Sequence, residues 1–219
     1  MSETARALLT DIQTGIAAGA GPNPLVAAVT TGRAPLAAVA ALAAEERIIV
    51  PADQRAFLLL AARSEEPAAV RFFTGLAQGE GLVQPMIPPL AAAAGMGGEA
   101  LASYEPRAGC QAYPSIVAWL ALNAEPAAVA LALVSNFAAW GGYCAELARG
   151  LRERYGFGDD ACAFLDFFAE PVTEPLELAV VAAQAAIDSG RDLGQARRHA
   201  RLLHENEELF WRTLAEIPG

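Results

Sequence analysis

The chain has 219 residues, 54% of them hydrophobic, and a formal net charge of −10 from 25 acidic and 15 basic side chains. That length buries a substantial core, and one compact domain over residues 1–219 is expected. The acidic balance disfavours nonspecific nucleic-acid binding, which needs phosphates neutralised by basic side chains, and it favours solubility. Cys110, Cys144 and Cys162 are widely spaced with no CxxC, which argues against structural zinc or a disulfide scaffold. The opening MSETARALLTDIQ lacks a basic leader before an apolar run, and PPLAAAAGMGG is too interrupted for a span of roughly 20 apolar residues. The expectation is therefore a cytoplasmic protein with neither a membrane nor a nucleic acid as partner.

In chain order, helical spacing of apolar residues predicts a first helix over 3–18, ending in the GAGPNP turn, and a short segment at 24–30. APLAAVAALAAEE predicts the next helix. RIIVPAD carries a short β-branched run suited to an extended segment and bounded by Pro51, after which a new helix opens at Pro51–Asp53 and runs to about Arg63. SEEP separates a helix from 67 to the mid-80s, where Pro85, Pro88 and Pro89 demand kinks or a break. YEPRAGC, 104–110, reads as a loop, and AYPSIVAWLALN as a helix closing at Asn123. From Pro126 a single helix is expected to run to Gly156, followed by helices near 159–169, 174–188 and 192–216. Thr173 is placed to cap the helix that TEPLE opens. The sum is an all-α domain of roughly eight or nine helices around one interior.

Three helices carry polar groups where apolar ones are expected. Leu203, Glu207, Phe210 and Leu214 follow at spacings of four, three and four, so Glu207 sits inside an apolar stripe. A bare carboxylate there would cost several kcal/mol, so Glu207 is hydrogen-bonded, paired, protonated or facing a wet cavity. A satisfied structural glutamate and a carboxylate presented to a ligand both fit. Glu80 lies in line with Phe73, Ala77, Gln84 and Ile87, with Gly79 and Gly81 beside it. Close helix packing and a polar contact to a bound molecule are the two readings of those glycines. In SNFAAWGGYCAELARG, Ser135, Gly142, Glu146 and Arg149 make one stripe and Leu133, Phe137, Trp140 and Cys144 the opposite one, with Tyr143 between. The polar stripe is a solvent face on a peripheral helix and a pocket wall on a central one. Gly141 and Gly142 together forgo roughly 2 kcal/mol of helix propensity, so a helix or a planar ligand should approach that backbone. Cys144, grouped with Trp140 and Leu133, reads as a buried thiol rather than a nucleophile.

NFAAWGGYCAELARGLRERYG and HENEELFWRTL together resemble the TenA/THI-4 family, within the haem-oxygenase-like helical fold that also includes PqqC-type proteins. LAAEERIIVPADQRAFLLLAAR and QAYPSIVAWLAL fit the family in order and rough spacing, and the likeness covers about residues 30 to 215. The resemblance implies a haem-oxygenase-like bundle that associates as a homodimer or higher homo-oligomer. It also implies a carboxylate, three residues before a Phe–Trp pair on the last helix, that takes part in chemistry on an aminopyrimidine. Glu207 before Phe210 and Trp211 is the match. The family's nucleophilic cysteine lies six residues before a glutamate, and counting back six from Glu146 lands on Trp140. Its catalytic aspartate sits in a Gln-Asp-Tyr context, where this chain has ADQRAF, with Asp53 and Phe57. Without the thiol, Glu207 and Asp53 retain amine binding but not the family's covalent intermediate.

The functional expectation is a protein that binds, and in the family's manner hydrolyses, a small nitrogenous or aromatic metabolite in a central pocket. Glu207 is its acid–base group, and Asp53, Phe57, Glu80, Tyr113, Phe137, Trp140, Tyr143, Glu146, Phe210 and Trp211 are its substrate contacts. The alternatives are a non-catalytic binding relative and a cofactor-free oxidase similar to the PqqC type. A bulky polyanionic substrate does not suit so few basic residues at the inferred cavity. No metal or cofactor is expected. His199 and His204 are five apart on one helix, separated by about 140° around its axis, which makes joint ligation awkward. No histidine lies in the N-terminal helices, where a haem oxygenase carries its proximal ligand, and no basic recognition helix supports a transcriptional role.

Overall fold

The computed structural model describes residues 4–19 and 21–218, which form an all-α bundle with no strand among them. The helices are α1 (Ala5–Gly19), α2 (Pro24–Thr30), α3 (Leu36–Arg63), α4 (Pro67–Val83), α5 (Ile87–Ala93), α6 (Gly98–Ala102), α7 (Ala108–Asn123), α8 (Pro126–Val134), α9 (Phe137–Tyr155), α10 (Asp159–Ala169), α11 (Thr173–Asp188) and α12 (Ala196–Ala215). Apart from the short α2, α5 and α6, that leaves nine helices of nine or more residues among the described residues.

Local signals explain several boundaries. Asn23 caps α2 through Oδ1, which accepts from the amides of Leu25 and Val26 at 3.1 and 3.2 Å. Glu66 does the same for α4, accepting from Ala69 N at 2.9 Å, with Pro67 in the first turn. Gly156 ends α9 at φ 72°, the left-handed conformation glycine adopts without strain. The Pro85–Pro89 region breaks as its prolines require, into a short 3₁₀ turn over Gln84–Met86 and then α5.

Three expectations are corrected. The segment around Pro51 is neither extended nor a boundary, because α3 runs unbroken through it. Pro51 removes one amide from the helix interior, yet Glu46, Ile49, Val50, Asp53 and Phe57 continue one stripe across it. The packing of both halves on one face outweighs the lost hydrogen bond. The expected single helix from Pro126 to Gly156 is two, parted at Ser135 and Asn136. Asn136 sits at φ −107°, ψ −11°, and its carbonyl accepts from Ala139 and Trp140 to start α9. Thr173 is the first residue of α11 rather than its cap, and Val172 at the cap position makes no side-chain hydrogen bond. In addition, α7 begins at Ala108, so the predicted loop is shorter than 104–110.

The apolar interior forms two clusters. One gathers α1, the C-terminal half of α3, α4, α8, α11 and the N-terminal half of α12. The other gathers α2, the N-terminal half of α3, α5, α9, α10 and the C-terminal half of α12. Every residue of α8 is buried. Pro126–Tyr155 is apolar enough by composition to cross a membrane, but 61% of its most apolar stretch is buried inside the bundle. It is a core element, interrupted by the Ser135–Asn136 turn.

The paired glycines of α9 divide their roles. A Cβ on Gly141 would lie 2.9 Å from the carbonyl oxygen of Phe168, at the end of α10, whereas one on exposed Gly142 would meet nothing within 4 Å. The close approach is therefore a helix end, and it concerns one glycine only. Gly142→Ala is expected to raise stability by about 1 kcal/mol, the helix-propensity difference, and Gly141→Ala to lower it. Chemical denaturation of the two variants beside the parent protein measures both signs.

Candidate functional site

Where the two apolar clusters meet, the bundle encloses a cavity of about 730 Å³. The middle of α3 supplies Glu46, Asp53 and Phe57, α4 supplies Glu80, and α7 supplies Tyr113. The α8–α9 junction adds Leu133, Asn136, Phe137 and Trp140, α10 adds Phe167 and Phe168, and α12 adds Leu203, Glu207 and Phe210. Aromatic rings and carboxylates thus share one wall.

Glu207 projects inward from the apolar stripe of α12 and is 5% exposed. Two donors hold it. Trp211 Nε1, one turn on, donates to Oε1 at 3.1 Å, and Asn136 Nδ2 donates to Oε2. The break between α8 and α9 is what turns the Asn136 side chain toward that carboxylate. Burial pushes the Glu207 carboxyl up to about 7, against the opposing pull of the Trp211 and Asn136 hydrogen bonds, which favour the ionised form. A carboxyl in that range exchanges a proton readily at neutral pH.

Asp53 is buried, and its Oδ1 has no hydrogen-bond partner. Burial raises its carboxyl to about 8. Glu46 and Glu80 are also raised well above the usual carboxylate range, by burial first and then by repulsion from Asp53 and, respectively, Glu45 and Glu46. The Tyr113 phenol is pushed up by burial and by the carboxylates around it. Glu46 and Glu80 are therefore opposed in their ionisation by neighbouring carboxylates, whereas Asp53 is raised by burial alone. Glu45, adjacent to Glu46 in the chain, points the other way. It accepts from Tyr104 Oη at 2.8 Å, Arg107 N at 2.7 Å and Gln111 Nε2 at 2.6 Å, fixing α3 against the start of α7.

Eight of the sequence-predicted residues line the cavity together: Asp53, Phe57, Glu80, Tyr113, Phe137, Trp140, Glu207 and Phe210. Three do not. Trp211 lies behind the wall, its ring 5.3 Å from that of Trp140 and 5.0 Å from that of Phe210, and acts on the site through Glu207. Tyr143 packs edge-on against Trp211 at 5.8 Å, outside the cavity. Glu146 is exposed, as are Gly142 and Arg149, so the polar stripe of α9 is a solvent face and the aromatic stripe is the inner one. The helix break also removes Leu133 from that stripe, since it belongs to α8. Glu46, Asn136 and the Phe167–Phe168 pair were not anticipated. The spacing of Glu46 from Asp53, seven residues along one face, was a readable signal for the first. Nothing in the sequence marks Asn136 or brings α10 to this wall.

Gly81 serves packing, since an added Cβ there would meet Gln54 Nε2 at 3.0 Å, whereas one on Gly79, which lines the cavity, would meet the Phe167 ring only at an ordinary 3.7 Å. Cys144 is fully buried in the second cluster and is not on the cavity wall, its thiol pushed up by burial. Cys110 and Cys162 are buried too. His204 approaches Glu208 at 3.6 Å and His199 is buried on α12, with burial lowering its pKa. Among the described residues no group of three or more His, Cys, Asp or Glu is arranged to hold a metal ion.

No family model matches the chain, and no curated protein matches it. Solved structures do resemble it. A TenA family transcription regulator from Silicibacter sp. TM1040 is 15% identical, covering 98% of this chain and 97% of that one, with a TM-score of 0.63. A domain of unknown function with a haem oxygenase-like fold from Shewanella denitrificans OS217 is 13% identical over 96% and 88%, at 0.68. A TenA homologue from P. horikoshii OT3 is 19% identical over 97% and 98%, at 0.67. At these identities the likeness is one of fold, the haem-oxygenase-like helical bundle.

The raised acids make stability fall with pH. Asp53 binds its proton more tightly folded than unfolded, so its contribution is full below its ordinary value of 3.8 and is lost as pH rises through about 8. Glu207 acts with the same sign between 4.5 and about 7. Asp53→Asn is expected to match the parent near pH 4 and to exceed it by on the order of a few kcal/mol near pH 9. Urea denaturation at both pH values measures the difference.

Proposed function

We propose that this protein binds a small, flat, nitrogen-bearing aromatic metabolite in the cavity, with Glu207 as the group that accepts and returns its proton. The observation that carries this reading is the Glu207 carboxyl itself. It is buried, held by Asn136 and Trp211, and opens on a wall that includes Phe57, Phe137, Trp140 and Phe210. Aromatic walls recognise a planar ring by stacking and edge contact, and convergent polar groups fix its orientation. Glu207 is also the residue that the resemblance to TenA proteins matches to a carboxylate active on an aminopyrimidine.

No cysteine lines the cavity among the described residues, and Trp140 stands where the resemblance implies a nucleophilic thiol. This supports binding with proton transfer over hydrolysis through a covalent thiolate adduct. It equally favours a second reading, a binding protein that performs no chemistry on its ligand.

Trp140 on the wall provides the test. Titration with a 4-aminopyrimidine is expected to quench tryptophan fluorescence saturably, and Trp140→Phe to remove most of that change. Glu207→Gln is expected to weaken binding by about tenfold or more, the scale of a hydrogen bond to a charged group. Saturable binding that Glu207→Gln leaves unchanged sinks the role given to Glu207. Incubation in deuterated water separates the two readings, since only proton transfer at a ligand carbon leaves deuterium there after return to ordinary water.

A further inference from the structure

The cavity is larger than a single ring held at Glu207 would need. Its volume of about 730 Å³ falls within the roughly 300–1,000 Å³ that accommodates a ligand of many heavy atoms. Its acids gather at one end. Beyond burial, the charges of Asp53, Glu207, Glu80 and Glu46 push up the Tyr113 phenol, so these groups lie together. Asp53 is 6% exposed and its Oδ1 has no hydrogen-bond partner, which marks this inner end as space left for a ligand.

The other end is apolar and opens to solvent. Here α4 borders the cavity in three runs, 70–72, 74–76 and 78–80, whose middle residues Arg71, Gly75 and Gly79 lie in one line along the helix. That line is roughly 12 Å long, at about 1.5 Å of rise per residue. Glycine is the poorest helix former after proline, yet packing within the protein requires neither glycine. A Cβ on Gly75 would meet nothing within 4 Å, and one on Gly79 only the Phe167 ring at 3.7 Å. The neighbouring α11 adds Pro175 and Leu178 to the same wall. At the rim Val70 and Val172 stay 36% and 38% exposed, beside the Arg71–Glu174 ion pair that joins α4 to α11 at 3.2 Å.

We propose that the ligand of this cavity is elongated, with an uncharged apolar arm, alkyl or aryl, running from the ring at Glu207 along the Arg71–Gly75–Gly79 line to the mouth. The inference rests on the binding reading above and adds a second subsite to it. Missing side chains at positions 75 and 79 leave a groove along α4, a role that their contacts within the protein do not supply. The two charges at the rim already pair with each other, so a charged arm finds no free counter-ion there. Apolar wall and exposed rim valines instead gain from covering by hydrocarbon.

Chain length isolates the claim. Calorimetric titration of the whole chain at neutral pH compares 4-aminopyrimidine with its ethyl, butyl and hexyl derivatives, substituted at ring carbon 2 or 5. In one of the two series affinity is expected to rise about tenfold or more for each added pair of methylenes, and an ether chain of hexyl length to gain little. Gly75→Leu is expected to cut the ratio of hexyl to unsubstituted affinity by about tenfold or more, and Gly75→Ala to cut it less. Thermal midpoints at or above the parent's show that both variants are folded. Binding of 4-aminopyrimidine with no gain along either series overturns the arm while the binding reading survives. Failure of every probe overturns both. Equal gain from the ether chain overturns the apolar character of the arm, and a ratio that Gly75→Leu leaves intact overturns its path along α4.

Discussion

A carboxylate placed in the apolar stripe of a helix must find donors, and the way Glu207 finds them organises the middle of this molecule. Trp211 supplies one from the next turn of the same helix. Asn136 supplies the other, and it does so from a point where a long apolar helix stops and restarts. An uninterrupted helix from Pro126 to Tyr155 would direct residue 136 by the regular 100° step of its neighbours. The turn at Ser135–Asn136 frees that side chain from the register and separates the fully buried α8 from the amphipathic α9. The break and the buried acid explain each other.

The cavity follows from the same arrangement. Two apolar clusters fill the ends of the bundle, and the acids lie at the seam between them, where α3, α8, α9 and α12 all pass. Packing alanine and leucine against four carboxylates would leave each unsolvated, at a cost of several kcal/mol per group. A space that admits water or a ligand avoids that cost. Pro51 sits in the stretch of α3 that faces this seam, between Val50 and Asp53 on the wall. The helix keeps its course there because its inward stripe is continuous on both sides of the proline.

Chemistry at the site is set by what surrounds each acid rather than by residue type. Glu45 and Glu46 are neighbours in sequence, yet one accepts three hydrogen bonds at the α3–α7 contact and the other faces the cavity with its proton held by burial. The cysteines behave in the same way. All three are buried, Cys144 on the core-facing side of α9, so a thiol present in the sequence is absent from the wall. The aromatic residue at position 140 takes that part of the surface and makes it a stacking face.

Periodicity alone determined that the chain is helical, that Glu207 points inward, and that Glu80, Trp140 and Phe210 lie on faces a ligand could meet, because a 3.6-residue repeat assigns faces without knowing what they meet; Asp53 and Phe57 became candidates only through the resemblance to TenA proteins. It also separated the solvent face of α9, with Gly142 and Glu146, from the inner one, although it left open which was which. Only tertiary packing decided the rest. Whether Pro51 breaks a helix depends on what both halves pack against. Where the Pro126–Tyr155 stretch turns depends on a hydrogen bond to a residue 71 positions away. That Gly141 rather than Gly142 meets a neighbour depends on where α10 ends. These outcomes rest on contacts between segments distant in the chain, and a local pattern of apolar and polar residues holds no information about its partner.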